Sequence, residues 1–365
     1  MRESNIELLR IVSMVLIIMH HFTVHGSFPF TPDLTFNKVF LQVFALGGKA
    51  GVVAFVMITG YFMVSSSFKL HKFGKLVGQI WFYSLAMLGV AVGLGLDTVT
   101  PYNVMFVVLP FGCMSWFAQT FLVLYIVMPF INHVLYRLKH TDYLILLAVS
   151  TVIWFVIPTA LNLWPNLPHT TFGFKHILSF IVFYSMGAYI KLYGDSIKVF
   201  GSHITQKMGI ILSGIGILGA FGGDILVDVL AKTDPAYMKQ IFYFTQNDYG
   251  FFQLLLGIGL FIVFLKAKIT YHPWINTIAS TTFGIYLLHD NKLVMHYMWD
   301  YIFSTYQYYD SPLLPLYAIL IVSLIFIIGM CVDYMRLAFI EKPIMKRIIP
   351  YMERSQSWME KRVPF

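Results

Sequence analysis

The sequence predicts an all-α polytopic membrane protein of about ten transmembrane helices, N-in and C-in, bundled around a central cavity. Three observations carry this prediction. The 365-residue chain is 58% apolar, 17% aromatic and only 12% charged, whereas soluble proteins average about 25% charged residues. Segments such as Ile210 to Ala220, Phe251 to Leu265 and Leu313 to Met330 are apolar all round. They lack both the polar face of a soluble helix and the alternation of a porin-like strand. Basic residues, finally, gather on one side of the topology that these segments imply.

Runs of about 20 apolar residues between polar punctuation define the spans in order. The first covers 6–24, with Arg10 near its start and two histidines, His20 and His21, following the apolar stretch Ile11 to Met19. The second, 39–64, contains Gly47-Gly48-Lys49, a candidate kink or break. The third, 76–96, follows the cluster Lys69, Lys72 and Lys75, and Val104 to Cys113 is a candidate re-entrant segment. Spans at 116–135, 143–161, 174–193, 208–227, 249–266, 277–298 and 313–334 complete the set.

Ten spans put both termini on one side. If that side is the cytoplasm, every Lys and Arg but Lys38, Lys49, Lys175, Lys232, Lys239 and Lys292 lies inside or at an inner helix end, as the positive-inside rule requires. The expected location is therefore the cell membrane, with both termini cytoplasmic. The aromatic and proline-rich stretches 22–36, 162–172, 229–249 and 299–312 then face outward as a candidate acceptor surface. Residues 1–340 form one membrane domain. The basic tail 341–365, with Trp358 and Met359, is expected along the inner membrane surface in contact with lipid, without an appended soluble domain. The N-terminus mimics a signal peptide, with small residues at Gly26 and Ser27, but two histidines after the apolar stretch and no A-x-A-like site argue against cleavage.

The net charge of +8 serves topology rather than nucleic acid, since no basic stripe is interleaved with aromatics on a polar surface. Cys113 and Cys331 fall near opposite membrane faces, which disfavours a disulfide. No Cys/His spacing points to a metal.

His21 is the residue that demands an explanation. Eleven residues of helix from Arg10 carry the chain about 16 Å, roughly half the hydrocarbon thickness. If Arg10 marks the inner interface, His21 lies near mid-membrane, where an ionisable side chain is costly and points to a functional cavity unless a neighbouring helix simply satisfies it. Histidine suits acyl transfer because its neutral ring takes a hydroxyl proton and later releases it near neutral pH. His20 points about 100° away and is the structural candidate. Glu7 and Arg10, spaced i, i+3, pair on one face. Arg10 lies on nearly the same face as His21 and is a candidate for the mouth of a cavity through which an acyl thioester enters from the cytosol.

The segment Asn5-Ile6-Glu7-Leu8-Leu9-Arg10 followed by His21 resembles the opening of the acyltransferase family 3 membrane proteins, bacterial enzymes that acylate cell-surface glycans. Phe55 to Tyr61, Ser115-Trp116-Phe117 with Tyr125 and Pro129, and Thr282 to His289 resemble that family's further motifs in order, so the resemblance covers most of the chain. It implies that Arg10 and His21 are the signature pair of the first span, with Glu7 beside them where many members carry Asp. It also implies a cytosolic acyl-CoA donor such as acetyl-CoA, an extracytoplasmic glycan hydroxyl as acceptor, and no metal. Lys69, Lys72 and Lys75 stand where arginines are common. They keep the point charge for the donor's phosphates but lose the bidentate grip, and the positive-inside rule alone also explains them.

His289 and Asp290 interrupt the ninth span and are the second candidate site, for substrate. Tyr61, Trp116 and Tyr286 are candidate cavity-lining residues, although packing explains any one aromatic as well. Asp224 and Asp228 share a helical face and read as a hydrated loop edge or an acceptor contact. His25, His169 and His176 are assigned no chemistry. The leading function is O-acyl transfer to a cell-surface or exported polysaccharide, with His21 as general base or transient acyl carrier. A transporter or flippase of a lipid-linked glycan or small solute is the alternative, and it would call for internal repeats that the two halves do not display.

Overall fold

The computed structural model describes residues 3–109, 115–173, 175–194, 198–199, 202–248 and 250–362. Cys113 and the end of the candidate re-entrant segment lie outside these residues. The first half comprises α1 (Ser4–His25), α2 (Phe36–Ala45), α3 (Gly48–Met63), α4 (Leu70–Gly93), α5 (Pro101–Val108), α6 (Trp116–Arg137), α7 (His140–Thr151) and α8 (Ile157–Leu161). The second comprises α9 (His176–Tyr193), α10 (Gln206–Thr233), α11 (Tyr243–Gln246), α12 (Phe251–Leu265), α13 (Pro273–Ala279), α14 (Thr282–His289), α15 (Met295–Tyr297), α16 (Leu314–Arg336) and α17 (Lys342–Arg362). A two-stranded ribbon pairs Lys198–Val199 with Ser202–His203.

Nine helical stretches among the described residues are long and apolar enough to cross a membrane. They match nine of the ten predicted spans. The predicted span 277–298 is instead broken into α13, α14 and α15. Its polar residues end it. The Asn291 side chain accepts from the Leu293 amide at 3.1 Å, an Asx turn that competes with helix continuation. The tail is not a separate element, because α16 runs through a π-turn at Leu337–Glu341 straight into α17. Continuing along α4, α17 packs on that helix's start, with Gln356 donating to the Phe68 carbonyl and accepting from the Leu70 amide.

Lipid offers helices no hydrophobic reason to associate, so close packing must do it. At the α3–α9 crossing a Cβ on Gly60 would fall 2.0 Å from the Tyr184 carbonyl, and one on Gly187 2.0 Å from the Met57 carbonyl. Reciprocal glycines thus let the two backbones touch. The break between α2 and α3 comes from α1. The His20 ring fills the place a Gly48 side chain would take, and its Nδ1 lies 3.0 Å from the Ala45 carbonyl left open at the end of α2. His20 is therefore structural, as expected.

The start of α1, the end of α12, the start of α4 and α17 share one face, here the N-terminal face: Ser4 and Asn5 bond to His272 and to the Phe264 and Leu265 carbonyls. On the opposite face a buried pair joins α2 to α10. Lys38 Nζ lies 2.6 Å from Asp228 Oδ1 with both side chains fully buried, Gln42 donates to Oδ2 at 2.6 Å, and the Thr31 carbonyl also accepts from Lys38. Asp224 accepts from the Phe244 amide at 2.9 Å and from the Thr245 hydroxyl. Neither carboxylate is a hydrated loop edge or is open to an acceptor. An uncompensated charge at this depth would be too costly to bury, so the two elements come with their partners.

Candidate active site

Helix α1 points His21 at the end of α14. His21 Nδ1 lies 2.9 Å from His289 Nε2, and His289 Nδ1 lies 2.7 Å from the carbonyl of Ile285, one turn earlier in α14. A carbonyl only accepts, so His289 carries its proton on Nδ1. With both rings neutral, His289 Nε2 is then the acceptor and His21 Nδ1 the donor, which leaves the lone pair of His21 on Nε2. That nitrogen can accept a proton or attack a carbonyl carbon.

Asp290 completes the cluster. Its Oδ1 lies 3.8 Å from His21 Nδ1 and 3.6 Å from His25 Nε2, while Oδ2 accepts from the Tyr286 hydroxyl at 2.6 Å. Ser115 Oγ in turn donates to Tyr286 Oη at 3.0 Å. The carboxylate is thus held at one oxygen and turned toward two imidazoles with the other, a placement that favours a transient imidazolium on His21. His25, to which the sequence assigned no chemistry, stands beside the cluster with its ring centroid 5.0 Å from that of His21; its i, i+4 spacing from His21 was a usable signal.

A cavity of about 890 Å³ opens among α1, α4, α6, α13, α14 and the α16–α17 junction. Arg10, Lys72, Lys75 and Lys342 line it together with Glu341, which lies 2.9 Å from Lys75 Nζ and 2.7 Å from Arg336 Nη1. Polar side chains of α13 and its C-cap, Asn276, Thr277 and Ser280, form another wall. Its deep end is aromatic, with Phe55, Phe121 and Phe283. Phe117 packs on all three and on Tyr286, at 5.1 Å, and Tyr286 lies 6.3 Å from the ring of His21. Phe117 and then Tyr286 thus stand between the aromatic lining of the cavity and the histidine.

The predicted residues divide accordingly. His21, Tyr286, His289 and Asp290 come together, with the last two set against His21 rather than forming a separate substrate site. Arg10, Lys72 and Lys75 share the cavity. Glu7 is buried beside Arg10, its Oε2 3.7 Å from Nη1, and the two sit about four and three turns from His21. Lys69 does not line the cavity: it is exposed at the N-cap of α4, where its carbonyl accepts from Tyr125. Tyr61 packs on Phe261 with the Lys191 ammonium 4.7 Å from its ring, away from the cluster. Trp116 lies between Lys49, at 5.2 Å, and His176, at 4.6 Å, and Asp248 contacts both of those side chains. Glu341, Lys342 and the α13 hydroxyls and amide were not predicted, because nothing in their local pattern marks a cavity wall.

A search of curated proteins and a search of solved structures each returned no match. The family model described as an acyltransferase domain matches residues 3–333, which takes in α1 through nearly all of α16 and so holds both the histidine cluster and the basic cavity. The chain belongs to acyltransferase family 3.

Proposed function

We propose that this protein transfers an acetyl or other short acyl group from cytosolic acyl-CoA to a hydroxyl of a cell-surface or exported polysaccharide. It does so in the cell membrane with both termini in the cytosol. The observation that carries this reading is the chain Ile285 carbonyl, His289, His21, which leaves a bare Nε2 on a histidine next to the inner end of a cationic cavity. Four basic residues at a cavity mouth suit the phosphates of a nucleotide-bearing donor, and an aromatic inner end suits the acyl and pantetheine portions.

His21 Nε2 takes the proton of the acceptor hydroxyl as its oxygen attacks the thioester carbonyl. The thiolate leaves and receives that proton from the imidazolium, which Asp290 stabilises meanwhile. In the relay form of the reaction Nε2 attacks the thioester itself and the acyl-imidazole forms with loss of thiolate; the hydroxyl then takes the acyl group, its proton passing to the freed Nε2 of His21 and from there to the thiolate. Radiolabel on His21 after brief exposure to labelled acetyl-CoA without acceptor distinguishes the relay. In either form the rings of Phe117, Phe121 and Phe283 must turn aside for the thioester to reach His21.

The decisive test uses purified protein in vesicles, supplied with acetyl-CoA on one side and a hydroxyl-bearing glycan on the other. Ester formed on the glycan is the expected result, together with loss of ester-linked acyl groups from the glycans of cells lacking the protein. No thioester consumption with any glycan, and unchanged esters in those cells, would return the protein to transport.

Two further outcomes follow from the geometry. Lys72→Ala and Lys75→Ala should each raise KM for acyl-CoA about tenfold, as loss of one charge-assisted contact would, whereas Lys69→Ala should leave it within twofold. Equal effects of all three would assign the lysines to topology alone. His289→Leu should lower kcat about 10²-fold, at the lower end for a misplaced base, with KM for acyl-CoA little changed. His289→Gln, whose amide oxygen accepts from His21 Nδ1, should recover part of the loss; equal rates for Leu and Gln would discount the tautomer argument.

A further inference from the structure

We propose that His21, His25 and Asp290 form a binding site for a zinc-class divalent transition-metal ion, and that occupancy silences His21. The ligand atoms of the three residues lie within 4.8 Å of one another. Asp290 Oδ1 is 3.8 Å from His21 Nδ1 and 3.6 Å from His25 Nε2. A tetrahedral ion with bonds of about 2.0–2.1 Å wants its ligands roughly 3.3 Å apart, so the carboxylate closes on each imidazole by a few tenths of an ångström, and side-chain rotation brings in the two imidazole nitrogens, which start no more than 4.8 Å apart.

The surroundings match what such ions use. Two imidazoles and one carboxylate form a three-ligand set of the zinc class, with the fourth position open. Calcium or magnesium would ask for six or more oxygens, which these residues do not offer. The carboxylate's second oxygen is held by Tyr286, itself bonded to Ser115, and outer hydrogen bonds of this kind orient metal-binding carboxylates. His21 and His25 are one turn apart on a single helix, so their ligand atoms converge without backbone movement. His289 Nε2, 2.9 Å from His21 Nδ1, is a further nitrogen at hand. The His25 side chain is 24% exposed and gives the ion a way in.

Silencing follows from where the proton goes. Without metal, His21 carries its proton on Nδ1 and is bare at Nε2. A metal ion takes the Nδ1 lone pair, so the neutral ring must carry its proton on Nε2 instead. No proton is lost, but Nε2 no longer has a pair of electrons with which to accept a proton or attack a thioester. This second half rests on the acyltransferase reading; the binding half does not.

The test uses untagged, chelator-stripped protein in detergent, titrated with Co²⁺ as a spectroscopic probe. The expected result is a tetrahedral cobalt spectrum saturating at one ion per chain and displaced by Zn²⁺. His25→Ala and Asp290→Asn should abolish it, Tyr286→Phe should weaken binding about 10-fold, and His272→Ala, exposed on the N-terminal face, should retain it. A melting curve for each variant checks folding, and His25→Asn serves if the alanine variant is unstable. No saturable binding, or an unchanged spectrum in folded His25 variants, would overturn the site. In the transfer assay Zn²⁺ should inhibit the wild type reversibly, and the residual transfer of His25→Ala should resist it. Stoichiometric binding without inhibition overturns the silencing, whereas absence of all transfer in metal-free wild type overturns the transferase reading and leaves cobalt binding to judge the site.

Discussion

Replacing His21 with asparagine should lower acyl transfer by about 10³–10⁴-fold, the upper part of the roughly 10²–10⁴-fold range that a positioned base contributes. Asparagine is the informative substitution. Its amide N–H can still donate to His289 Nε2, as His21 Nδ1 does at 2.9 Å, so α1 stays docked on α14. What disappears is the bare Nε2. The measurement is glycan ester formed per minute by purified protein, with a thermal melt and donor binding recorded beside it. Transfer above a few per cent of wild type in a folded variant would remove His21 from the chemistry and leave it as a helix-docking residue. A relay through acyl-histidine predicts at least as great a loss, since the nucleophile itself is gone.

Breaking the pair between α2 and α10 should be the most destabilising single change. Lys38→Met leaves Asp228 fully buried with Gln42 as its remaining side-chain partner, and Asp228→Asn leaves a buried ammonium. Each should cost about 3–5 kcal/mol, as does the loss of one member of a buried pair. The double change Lys38→Met with Asp228→Leu should recover most of that stability, because the desolvation cost of both charges goes with them. Thermal unfolding in detergent, arranged as a double-mutant cycle, measures it. A single change costing less than about 1 kcal/mol would mean that the pair is hydrated and the opposite face is held together by something else.

Much of the site was readable before the fold was known. The interval from Arg10 to His21 set the histidine about three turns beyond Arg10 on α1, and the polar interruption at His289 and Asp290 flagged the other half of the cluster. That the two halves meet was not readable, since 268 residues separate His21 from His289. The same limit explains the misjudged acids. Asp224 and Asp228 at i, i+4 look alike whether they face water or a buried ammonium, and that ammonium is 190 residues away on Lys38. Lys69, Lys72 and Lys75 form one cluster in the linear chain. The helix start separates them, because Lys69 caps α4 while the other two point from its first turns into the cavity.

By itself the sequence determined the membrane class and the limits of nearly all the spans. Each span is a local matter: a long enough apolar run must satisfy its own backbone hydrogen bonds in lipid, and a helix does so without help from elsewhere in the chain. Only the tertiary structure decided which nitrogen of His21 is free, that His25 and Asp290 share its surroundings, and that Phe117 and Tyr286 stand between it and the basic cavity. Those features depend on the direction of single hydrogen bonds and on distances of a few ångströms between α1 and α14, and a hydropathy pattern carries neither.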